Sequence, residues 1–207
     1  MVLFLYIQQY SYNKLQQKRR IVLEKSKFIP RDFLHNNYMR LGLACVLCYL
    51  GCYAGKTILS AISPYLQTNG IFTADEIGSM GSALFFAYGA GQLINGTLGD
   101  IISPKIMAFM GVMTSGVLVI SLPFVPGFTF NTVVWAFIGF FCSMMWGPLT
   151  KIIAENSTGE TGRKLMLALN ASLVMGTLTA YSAAAVVSAF LPWQAAFFIA
   201  GGIMIVC

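Results

Sequence analysis

Apolar runs of membrane length, separated by short polar stretches, are the dominant pattern of this chain. The first covers residues 41–59, between a basic segment ending at Arg40 and an expected turn at Ser63-Pro64. Its length approaches the roughly 20 residues a helix needs to cross hydrocarbon. A polar stretch over residues 63–76 follows, in which Thr73-Ala-Asp-Glu76 has capping-box spacing and marks the next helix start. The second run, residues 77–98, carries Gly78, Gly81, Gly89, Gly91 and Gly96, small residues that let helix backbones approach closely. A charged turn at residues 100–105 leads to the third run, residues 106–122, closed by Pro123, Pro126 and Gly127. The fourth run, residues 132–150, should kink at Gly147-Pro148, because proline lacks a backbone donor and clashes with the preceding turn. A polar loop is expected over residues 151–164. The fifth run, residues 165–191, has Asn170, Ser172, Thr177, Thr179 and Ser182 as its main polar positions and ends at Pro192-Trp193. The remainder, residues 194–207, is too short to cross, so the chain is expected to stop inside a sixth helix.

These elements predict an all-α fold: a polytopic membrane bundle of six transmembrane helices, the last truncated. Residues 1–40 read as a basic juxtamembrane segment and residues 41–207 as the bundle. Composition agrees, since 57% of the 207 residues are hydrophobic and 10% charged, whereas a soluble domain has about 25% charged. The net charge of +6 does not indicate nucleic acid, because eight of the thirteen Lys and Arg precede the first run: Lys14, Lys18, Arg19, Arg20, Lys25, Lys27, Arg31 and Arg40. Their position suits the anionic leaflet of a lipid bilayer. With the N-terminus cytoplasmic, every basic residue except Lys56 falls on one side, since the second and fourth loops hold Lys105, Lys151, Arg163 and Lys164. The opening residues 1–7 are short, lack a preceding basic residue and have no small-residue cleavage site, so no secretion signal is expected. An integral protein of the inner or plasma membrane follows. The six runs also group as three plus three, the arrangement of inverted repeats in many transporters.

Lys56 is the exceptional residue, a cation inside the first apolar run. Such a lysine costs about 2.5 to 3.5 kcal/mol on insertion scales, so it normally faces a water-filled cavity or a partner. Tyr49, Tyr53, Lys56 and Ser60 recur at steps of four, three and four, which places them on one helix face. That stripe can hold an anion in a polar cavity. Alternatively, Lys56 snorkels to the headgroups and the tyrosines are interface aromatics. Cys45, Cys48, Cys52, Cys142 and Cys207 all lie in apolar surroundings and read as packing residues. The single His35 completes no metal site with the Cys45-Cys48 pair, so neither metal nor cofactor is expected. No Ser-His-Asp set, phosphate loop or metal-ligand spacing is present, and the runs carry no Asp or Glu in their interior. An enzyme is therefore not expected.

The turn Gly96-Thr-Leu98-Gly99-Asp100-Ile-Ile-Ser103-Pro104-Lys105 resembles the signature of the major facilitator superfamily, with Ile101 where an Arg is usual. Its Ser-Pro-Lys ending is similar to the organophosphate:phosphate antiporter branch, which includes glycerol-phosphate and hexose-phosphate transporters. Tyr49, Tyr53, Lys56 and Ser60-Ala-Ile-Ser-Pro64-Tyr65-Leu66 resemble that branch's first helix, where two tyrosines and an arginine line the substrate cavity. Trp146-Gly-Pro148 with Lys151 resembles its fourth-helix Gly-Trp-Pro-Pro element, and Trp193-Gln-Ala-Ala-Phe197 the opening of its sixth helix. Lys56 stands in place of the branch's arginine, a point charge for a bidentate fork, and Gln92 stands where some members have a lysine.

The resemblance covers residue 41 onward and implies the N-terminal half of a twelve-helix transporter whose partner is a missing C-terminal six-helix half. It implies a secondary active transporter working by alternating access on a small organic anion, such as a phosphorylated metabolite exchanged for phosphate. Substrate contacts would come from Lys56, Tyr49 and Tyr53, with Tyr88, Gln92 and Asn170 on the cavity wall or in helix-to-helix hydrogen bonds. Asp100, Lys105 and Gly96 would belong to the gate. The rival expectation is a transporter-like membrane sensor or scaffold that binds ligand without moving it.

Overall fold

Each apolar run folds as helix, because hydrocarbon offers no water to satisfy an unpaired backbone group. The computed structural model describes residues 31–124, 127–157 and 159–207, with side chains from residue 39 onward except that of Asp100. Most of the basic segment, residues 1–30, and its expected lie on a leaflet fall outside the described residues. The helices are α1 (Arg31–Thr68), α2 (Ala74–Ile101), α3 (Pro104–Ser121) with a 3-10 turn at Leu122–Phe124, α4 (Phe128–Cys142), α5 (Trp146–Asn156), α6 (Gly159–Phe190) and α7 (Gln194–Val206). No strand occurs among the described residues. Two units divide the chain, Met1–Leu41 and Gly42–Cys207, and the second holds the bundle.

Met39–Thr68, Pro104–Phe124, Phe128–Asn156 and Gly159–Phe190 are long and apolar enough to cross a membrane. α2 is outside that set, yet its 28 residues extend about 42 Å, beyond the roughly 30 Å of hydrocarbon. The expected six spans thus correspond to α1, α2, α3, α4 with α5, α6, and the 13-residue α7.

Three boundaries differ from expectation. α1 does not turn at Ser63-Pro64 but runs through Pro64 to Thr68. Proline removes one backbone donor, and a membrane helix tolerates that where neighbours re-satisfy the backbone. The true stop is Gly70, at φ 66°, with Ile71 N–H donating to Leu66 O at 2.9 Å and Gly70 N–H to Gln67 O at 3.0 Å. This pairing is a Schellman cap, and it requires the left-handed backbone that glycine adopts without penalty. The fourth span breaks at residues 143–145, one turn ahead of Gly147-Pro148, because the proline ring displaces the carbonyl four residues earlier. The expected loop over residues 151–164 is mostly helical, with α5 reaching Asn156 and α6 beginning at Gly159.

The Thr73 capping box forms as its spacing predicts. Glu76 N–H donates to Thr73 Oγ1 at 3.3 Å and Thr73 N–H to Glu76 Oε2 at 2.8 Å.

α2 packs along α4, α3 along α4 and α7, and α6 against α7. Contact is close enough that a Cβ at Gly139 of α4 would strike the Leu84 carbonyl of α2, and one at Gly176 of α6 would strike the Leu50 carbonyl of α1. Dispersion at that range replaces the hydrophobic effect as the cohesive term inside a bilayer. Polar residues on the spans mostly bond their own helix: Thr57 Oγ1 donates to Tyr53 O, Thr177 to Leu173 O and Thr179 to Met175 O. A hydroxyl that satisfies itself four residues back adds no lateral specificity. Asn95 is different, since its Nδ2 reaches from α2 to Ser143 Oγ at 2.6 Å, at the break between α4 and α5.

Candidate functional site

Lys56 occupies the middle of α1 and is only 8% exposed. Its Nζ lies 4.2 Å from the ring centre of Tyr53, one turn back on the same helix, and 4.2 Å from that of Tyr88 on α2. Phe85, one turn before Tyr88, contributes a third ring at 5.8 Å. The side chain thus rests against rings of two helices inside the bundle rather than extending along α1 toward a helix end. Among the described residues no carboxylate pairs with it; the ion pair present there joins Lys164 to Glu160 on α6.

The electrostatics follow from magnitudes. A cation over an aromatic face gains about 0.5 to 2 kcal/mol, depending on desolvation. Placing a lysine at membrane depth costs about 2.5 to 3.5 kcal/mol on insertion scales. Two close rings therefore offset much of the cost but carry no net charge, so they do not neutralise an ammonium. An anion is the ligand such a site accepts best, and low local dielectric strengthens the contact.

Tyr88 is oriented by Gln92, whose Nε2 donates to the Tyr88 hydroxyl oxygen at 3.0 Å. That leaves the phenolic proton free to donate elsewhere. Tyr49 is one step removed from the cation. It is 3% exposed, edge-on to Tyr53 with centroids 5.0 Å apart, and 5.4 Å from the ring of Trp146. Lys56, Tyr53, Tyr88, Gln92 and Tyr49 therefore form one contiguous cluster. Asn170 does not join it; its Nδ2 donates to Met166 O on its own helix at 2.9 Å.

Near the expected gate, Gly96 and Lys105 are exposed and the Asp100 side chain lies outside the described residues. A residue without a role at that turn in the sequence reading stands there instead. Lys151 of α5 donates through Nζ to the Gly99 carbonyl at 2.9 Å, at the C-terminal end of α2. Phe85 and Trp146 were also unassigned to the site. Phe85 sits three residues before Tyr88, a spacing that brings it to the same face, whereas the contact of Trp146 depends on how α5 leaves the break. His, Cys, Asp and Glu form no metal-holding group of three or more among the described residues.

The chain is 28% identical over 155 residues to the glycerol-3-phosphate transporter of Bacillus subtilis, covering 72% of this chain and 35% of that one. It is 26% identical to the phosphoglycerate transporter protein of Salmonella typhimurium, over 61% of this chain and 28% of the relative. A probable hexose phosphate transport protein of Chlamydia pneumoniae is 21% identical over 56% of this chain and 26% of its own length. The chain spans between about a quarter and a third of the length of these curated relatives. Residues 45–207 match the Major Facilitator Superfamily, and the chain, an integral membrane protein, belongs to that family.

Proposed function

We propose that the chain forms the N-terminal half of a secondary active transporter that moves a small organic anion by alternating access, with a phosphorylated metabolite exchanged for phosphate as its substrate class. The observation that carries this is Lys56, a buried cation held by two aromatic rings with no acidic partner among the described residues. The similarity to transporters named for glycerol 3-phosphate, phosphoglycerate and hexose phosphate supports a phosphate ester over other anions. Lys56, Tyr53 and Tyr88 bind the anion in this reading, Tyr49 and Gln92 orient them, and a second six-helix half completes the site. Asn170, bonded to its own helix, would contribute only to the cavity wall. Asp100, Lys105 and Gly96 act at the cytoplasmic gate, in an inner or plasma membrane protein with a cytoplasmic N-terminus.

The test is counterflow with the full-length protein reconstituted into phosphate-loaded vesicles. Uptake of labelled glycerol 3-phosphate, dependent on internal phosphate, is expected. Binding of labelled ester without uptake would instead support a membrane sensor, and an absence of both binding and uptake for phosphate esters and carboxylates would remove the anion reading.

A further inference from the structure

Lys56 has four rotatable bonds and, among the described residues, no acid to anchor it, so something else must hold its ammonium in place. The ring contacts form a continuous series. Trp146 lies 5.4 Å from Tyr49, Tyr49 lies 5.0 Å from Tyr53, and Tyr53 lies 4.2 Å from the Lys56 Nζ. Tyr49 is nearly sealed, at 3% exposure, and is wedged between a ring on its own helix and one on α5. Its packing against Trp146 limits how far it can turn. Trp146 is itself the first residue of α5, directly after the break that Pro148 imposes. The middle of α5 is tied to α2 by the bond from Lys151 to the Gly99 carbonyl. The short helix is thus held at its first residue by a ring contact toward the cation and at its midpoint by a hydrogen bond toward the end of α2.

We infer that Trp146 is a positioning residue for the anion site: its indole fixes Tyr49, Tyr49 fixes Tyr53, and Tyr53 thereby fixes the Lys56 ammonium. This rests on the proposed reading of Lys56 as the anion-binding group. The indole never touches the anion. It acts by keeping Tyr53 in the rotamer that faces Lys56, so its contribution exists only while Lys56 carries the charge that binds. That dependence separates positioning from ordinary core packing.

The test is a double-mutant cycle on the full-length protein, with affinity for glycerol 3-phosphate and for inorganic phosphate measured by titration calorimetry. Trp146→Leu should weaken binding roughly two- to tenfold, the range of one aromatic pair. Trp146→Phe, which keeps a ring against Tyr49, should restore most of the loss. In a Lys56→Gln background Trp146→Leu should add nothing, because the group it positions is gone. Equal weakening by Trp146→Leu in both backgrounds would mark Trp146 as a packing residue and overturn the inference, as would no weakening in either. If Trp146→Leu does not yield a monodisperse protein, Trp146→Met, longer and more adaptable in shape, takes its place with the same expected outcomes. Failure of the underlying reading looks different. Lys56→Gln would then bind as the unaltered protein does, or the unaltered protein would bind neither ligand, and the inference falls with it.

Discussion

Lys151 of α5 donates to the Gly99 carbonyl at 2.9 Å and so closes the C-terminal end of α2 with a side chain from the fourth span. The last carbonyls of a helix have no partner within it and carry the negative end of its dipole, so a cation there satisfies both needs. Lys151→Met should destabilise the protein by about 1 to 2 kcal/mol, below the full range for a charged hydrogen bond because the group is partly exposed. Thermal unfolding in detergent measures that. Turnover should fall more than affinity, which should stay within about threefold because Lys151 lies at the end of α2 rather than against Lys56. Loss of binding at normal turnover would place Lys151 in the substrate site instead.

Lys56→Gln should weaken anion binding by about ten- to a hundredfold, the worth of a charge-assisted hydrogen bond. Lys56→Arg should keep part of the affinity and shift preference toward phosphorylated anions, since a guanidinium offers two parallel donors. Titration calorimetry with a phosphate ester and a carboxylate reads both effects.

Tyr88 provides a way to separate ring from hydroxyl. Tyr88→Phe keeps the face over the Lys56 ammonium and loses only the bond with Gln92, so affinity should change by about threefold or less. Tyr88→Leu removes the face as well and should cost about tenfold more. If the two variants bind equally, the ring contact contributes nothing to the site.

Much of this was legible in the chain, and the exceptions have physical causes. Alternating runs of apolar and polar residues gave the helices, and the Thr73-Glu76 spacing gave the start of α2, because both depend only on local order along the chain. The stop of α1 was misplaced because Pro64 is the stronger breaker in water, while in a membrane helix the glycine after Asn69 decides. Tyr49, Tyr53 and Lys56 were readable as one face of one helix. Tyr88 was reachable only by resemblance, and Trp146 and Lys151 depend on how α5 leaves the break at residues 143–145, which no periodicity encodes.

Asn69 and Ser103 flank α2, in the turns before and after it, and in the proposed topology, argued from the basic residues, those turns lie on opposite sides of the membrane. Single cysteines at these positions, in a cysteine-free background, should react with an impermeant maleimide from opposite faces. Labelling of both from outside intact cells would invert or collapse the topology.

Gly139→Ala should cost about 1 to 3 kcal/mol, as overpacking does, because its methyl would meet the Leu84 carbonyl rather than a movable side chain. Gly78→Ala, also within a helix but with open space around it, should be neutral or gain up to about 1 kcal/mol. The pair of variants, compared by thermal unfolding, distinguishes close approach from mere glycine content.

The backbone contact at Gly139 and Leu84 has a further use. Two main chains packed this closely leave little room for relative movement, so α2 and α4 are expected to move as one body. Spin labels or fluorophores bridging these two helices should report a constant separation in every state. They form a built-in ruler against which movement of any other helix can be calibrated.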